Sequence, residues 1–109
     1  MSNRIEKVNE LIKSLVGEIL TRELSLKPGV FITISNVDTS SDLRYTRIFL
    51  SIFPEKDIEY TEKTLQKEIY KIQGHLNKRL FMKPLPKIQF KTDMTESKAD
   101  EIEKLLKEI

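Results

Sequence analysis

The hydrophobic period of this chain changes four times between helical and strand spacing, and each change fixes what kind of segment can bury its apolar side. From Ile5, the residues Ile5, Val8, Ile12, Leu15, Val16, Ile19 and Leu20 recur at three- and four-residue steps with charged residues between them, which predicts an amphipathic helix. Lys27-Pro28-Gly29 stops it, because proline breaks the backbone ladder and glycine supplies a turn. Val30 to Val37 is rich in β-branched residues, and Arg47 to Phe53 sets Ile48, Leu50 and Ile52 against Phe49, Ser51 and Phe53, so both read as strands. The polar link Asp38 to Asp42 makes an antiparallel hairpin the economical connection.

After Pro54, Thr61 has the character of an N-cap, and Leu65, Ile69, Ile72, Leu76 and Leu80 form a second apolar stripe. Gly74 lies inside that stretch and permits a bend or a broken pair of helices. Pro84 and Pro86 close it. Lys87 to Thr92 alternates Ile88 and Phe90 against Gln89 and Lys91, a third strand with a basic outer side. Ser97 to Ile109 predicts a short acidic helix with Ile102, Leu105, Leu106 and Ile109 on its stripe. The expected architecture is one α+β domain over 1–109, with helices packed on one face of a small sheet.

At 109 residues the chain has the length of one ordinary domain. It contains no cysteine, which removes disulfide scaffolds, thiol catalysis and thiolate zinc sites. No run approaches the roughly 20 apolar residues of a membrane span, so a soluble cytoplasmic protein without membrane contact is expected. The net charge is only +2, but its distribution is uneven. Between Lys63 and Lys91 eight basic residues stand against the single acid Glu68. A chain polarised in this way can turn a positive face to a polyanion, although lysines that merely solvate a helix would give the same count.

Catalytic readings find little support. The three glycines, Gly17, Gly29 and Gly74, are too scattered to cradle a phosphate, and no cofactor is implied. His75 is the only histidine, and it reads as a helix residue that could also touch phosphate. Asp38, Asp42 and Asp93 could gather around Mg²⁺, but each lies beside a turn, where aspartate commonly caps backbone amides, and no metal site is assigned. Cations that touch phosphate remain: Lys71, His75, Lys78, Arg79, Lys83, Lys87 and Lys91, joined by Arg44 and Arg47 from the hairpin. With aromatic residues at 7%, and with Phe90 and at least one of Phe49 and Phe53 expected in the core, base stacking should be minor. The competing reading is a protein-interaction module whose lysines only solvate; a small hydrolase on an α+β scaffold is a third.

Three stretches together resemble the ribosome-binding factor A family, a bacterial small-subunit assembly factor. They are Arg4 through Leu20; Ile32 through Ser51, with its Ser-Ser-Asp-Leu turn at 40–43; and Leu76-Asn77-Lys78-Arg79-Leu80-Phe81-Met82-Lys83 followed by Pro86-Lys87-Ile88-Gln89-Phe90 and Asp93. The resemblance implies a type II KH-like fold, α-β-β-α-α-β, here with a short additional C-terminal helix. It also implies a monomeric, non-enzymatic partner of the small ribosomal subunit and its ribosomal RNA, active in late maturation, precursor RNA processing and growth in the cold. The family has an "A-x-G" kink between its middle helices, which aligns with Glu68-Ile69-Tyr70, where this sequence lacks the small residues. Either the bend moves to Ile72-Gln73-Gly74, or the helix stays straighter. Thr46 stands where alanine is usual, and Asn77 and Lys83 replace a common glycine and arginine.

Overall fold

The computed structural model describes residues 2–93, with side chains from Arg4 onward; the expected helix Ser97 to Ile109 lies outside the described residues. Helix α1 spans Ser2–Glu23, strand β1 Phe31–Thr39 and strand β2 Tyr45–Phe53. A short 3₁₀ turn, Glu55–Asp57, leads into helix α2, Ile58–Arg79, and strand β3, Lys87–Thr92, follows. The α+β class and the order of elements agree with the sequence. The expected pair of middle helices does not: α2 is one unbroken helix through both candidate kink positions. A Cβ at residue 74 would meet nothing within 4 Å, so packing neither demands this glycine nor uses it to bend the chain.

The sheet order is β1-β2-β3, with β1 and β2 antiparallel and β2 and β3 parallel. A parallel pair needs a long crossover, and α2 supplies it. The pairing of β1 with β2 slips between Ile34 and Asn36, leaving Ser35 as a bulge. That extra residue lets Ile34 and Val37, three apart, both turn inward opposite Leu50 and Ile48, two apart.

The core forms where one sheet face meets both helices. Ile12, Leu15, Val16, Ile19 and Leu20 of α1 and Leu65, Ile72 and Leu76 of α2 pack on Val37, Ile48, Leu50 and Ile88. Phe90 packs against this cluster from its margin. The expectation that Phe49 or Phe53 joins it fails: the parity that buries Ile48, Leu50 and Ile52 turns both phenylalanines to the opposite face, which neither α1 nor α2 covers and where Phe53 is 67% exposed.

Helix α2 starts one turn earlier than its composition suggests. Asp57 occupies the N-cap position but makes no side-chain cap bond. Its buried carboxylate instead meets Lys27 Nζ at 2.5 Å, and Lys27 lies over the Tyr60 ring at 5.0 Å from the centroid. Thr61, cap-like by residue type, is fully buried within the first turn and donates to the Asp57 carbonyl oxygen at 2.7 Å.

Candidate nucleic-acid interface

Because β3 is an edge strand, its outer side and the neighbouring flank of α2 enclose an open groove of about 420 Å³. Gln66, Tyr70 and Gln73 line it from the helix, and Lys87, Gln89 and Lys91 from the strand, over a floor that includes Ile69, Ile88 and Phe90. Gln73 fixes the geometry. Its Nε2 donates to the Pro86 carbonyl at 3.0 Å and to Asn77 Oδ1 at 2.9 Å, while its Oε1 accepts the Ile88 N–H at 2.9 Å. One amide thus ties the start of β3 to the C-terminal third of α2.

The other end of this attachment is the β1–β2 turn. The Arg44 carbonyl accepts the Lys87 N–H at 2.8 Å. Asp42 Oδ1 accepts from Ser40 Oγ at 2.6 Å and from the Arg44 N–H at 3.1 Å. These bonds, the Ser40 hydroxyl first and the backbone amide second, hold the Asp42 carboxyl below the ordinary carboxylate range. Asp42 therefore caps a turn. Asp38 is taken by Arg47 at 2.6 Å, and Asp93 accepts from Ser35 Oγ at 3.0 Å. Among the described residues no three metal-ligating side chains come together.

The nine candidate cations do not share one patch. Lys71, His75 and Arg79 face α1, where Glu23 Oε2 lies 3.8 Å from Lys71 Nζ and 3.6 Å from His75 Nε2, and Glu18 Oε2 lies 2.9 Å from Arg79 Nη1. These three hold an interhelical seam. Arg47, bound to Asp38, lies over the Phe49 ring on the sheet face away from α1 and α2, 5.9 Å from its centroid. Arg44 is exposed in the turn beside Lys87. Lys87 and Lys91 line the groove, Lys78 is exposed on the last turn of α2, and Lys83 is exposed on the α2–β3 link. None of these four lysines has a carboxylate partner among the described residues. Sequence reasoning missed Tyr70, 87% exposed beside the groove, together with Gln66 and Gln73. The alternation of β3 already pointed to Gln89.

These features define a small α+β domain with two helices on a mixed three-stranded sheet and a shallow groove of lysines and amides along the edge strand. Residues 4–106 match the family profile of ribosome-binding factor A, and the chain belongs to that family. It is 36% identical over 107 residues to the ribosome-binding factor A of Natranaerobius thermophilus, covering 97% of this chain and 82% of the relative. The solution NMR structure of a Thermotoga maritima protein, described as a candidate ribosome binding factor A, superposes with a TM-score of 0.68 at 27% identity, over 84% of this chain and 88% of that one. A homology model of the Thermus thermophilus factor, fitted into a cryo-EM map of its complex with the 30S subunit, gives a TM-score of 0.66 at 21% identity, over 78% and 90%. That last likeness concerns the fold alone.

Proposed function

We propose that this protein binds the small ribosomal subunit through its ribosomal RNA and supports late maturation of that subunit, including processing of precursor RNA and growth in the cold. It acts by binding, as a cytoplasmic monomer, and catalyses no bond change. Family membership supports the subunit as partner, and the Thermus thermophilus relative was fitted into a 30S complex. The two-helix, mixed-sheet architecture supports a KH-like reading of the fold.

The observation that carries the proposal is the α2–β3 groove. Lys87 and Lys91 stand there with no carboxylate partner among the described residues, beside the exposed Tyr70 and the amides of Gln66 and Gln89, a residue type that can reach phosphate and sugar oxygens. Lys71, His75 and Arg79 contribute less, since RNA must compete for them with Glu18 and Glu23.

Co-sedimentation with purified small subunits tests this. Lys87→Glu with Lys91→Glu should abolish retention at moderate salt while leaving thermal unfolding nearly unchanged, because both side chains are exposed. Lys13→Glu, on the opposite flank beside β1, should leave retention intact. Undiminished retention of the double variant would refute the groove as the interface.

A further inference from the structure

We propose that Phe81 is an aromatic finger that stacks on an unpaired nucleobase of the bound RNA. The inference rests on the RNA-binding reading above and adds a contact of different chemistry at a different place. Phe81 is 97% exposed, the most exposed of the large apolar side chains among the described residues. At that exposure nearly the whole apolar surface of the ring remains in water for a ligand to cover.

Its exposure is built in. On one side Leu80 is buried in the core cluster and its N–H closes the last turn of α2 on the Leu76 carbonyl at 3.0 Å. On the other side Met82 packs back against the same cluster. Further on, Pro86 is fully buried and its carbonyl is held by Gln73. With both neighbours drawn inward, residue 81 is directed outward from a backbone that is already anchored on either side.

The surroundings select the partner. Lys78 lies three residues before the ring and Lys83 two residues after it, both exposed and without a carboxylate partner among the described residues. No aspartate or glutamate occurs anywhere from Ile69 to Thr92. A ring flanked in sequence by two unpaired lysines fits a ligand that is flat, apolar on its faces and anionic along its backbone, which describes a single-stranded nucleic acid.

The absence of tryptophan from the chain makes the test direct, because Phe81→Trp introduces the only indole. Affinities of the full chain would be measured for a single-stranded RNA oligonucleotide and for purified small subunits, over a range of salt. Phe81→Ala should weaken oligonucleotide binding about 5- to 150-fold, the range for losing one stacked base. The factor should be the same at every salt concentration, since no phosphate contact is removed. Phe81→Leu, apolar but without a π face, should lose as much, and Phe81→Trp should retain affinity and have its emission quenched by the RNA. Equal oligonucleotide binding by Phe81→Ala and wild type would overturn the inference, as would a loss confined to whole subunits, which would assign the ring to a protein pocket. Wild-type protein that retains neither oligonucleotide nor subunits would overturn the RNA-binding reading itself.

Discussion

Leu43 shows how a single residue sets the hairpin. Its φ of 61° lies in the left-handed region, where a branched side chain costs about 1 kcal/mol, yet the side chain is buried and the turn around it is bonded throughout. The Leu43 N–H reaches the Ser40 carbonyl at 2.9 Å, the Tyr45 N–H reaches Ser40 Oγ at 3.1 Å, and Asp42 takes the Arg44 amide. A carboxyl whose pKa is depressed by folding adds stability above the ordinary carboxylate range and loses it as pH falls through the lowered value. Asp42→Ala should therefore unfold at lower urea than wild type at pH 7, and the gap should close below about pH 4 as the wild-type carboxyl protonates. A gap that stays constant from pH 7 to pH 3 would contradict the role given to that carboxylate. The sequence made this residue legible as a cap, because aspartate followed by a turn is a local signal. Thr61 misled for the same reason: its residue type was cap-like, but α2 begins at Ile58, after an Asp57 whose carboxylate is held by Lys27, 30 positions away.

Between residues and the whole, the strands and helices were readable wherever burial repeats with a fixed period. Strand β3 matches its expected range, Lys87–Thr92, at both ends. Periodicity was silent about direction, so the parallel pairing of β3 with β2 emerged only from the long crossover through α2. It was also silent about Ser35, although the three-residue step from Ile34 to Val37 is the parity break that a bulge produces. The middle-helix kink was expected from family pattern and glycine content, and α2 has none that interrupts it. Continuity of α2 predicts that Gly74→Ala, with open space around its Cβ, stabilises the protein by about 0.5–1 kcal/mol in urea titration, through helix propensity alone. A loss of stability would mean that the helix bends at residue 74 in solution.

At the scale of the molecule, the feature least legible in sequence was which cations are already used. A surplus of lysine between Lys63 and Lys91 counts every ammonium equally, but the fold spends Lys71, His75 and Arg79 on the α1 carboxylates Glu23 and Glu18. Lys63 is likewise paired, with Glu59 at 3.1 Å. What remains unpaired of that surplus among the described residues is Lys67, Lys78, Lys83, Lys87 and Lys91, of which Lys87 and Lys91 share the groove with the exposed ring of Tyr70 while Lys78 and Lys83 flank Phe81 in sequence. The aromatic contribution was hidden because Tyr70 lies off the apolar stripe of α2 and Phe81 falls in the link between α2 and β3, where no period assigns a side chain to a face. The salt dependence of RNA affinity measures directly whether the β3 lysines contact phosphate. Each phosphate contact on a single strand contributes about 0.7 to the slope of log affinity against log salt, so Lys87→Gln with Lys91→Gln should make the slope shallower by about 1.4. An unchanged slope would contradict that contact.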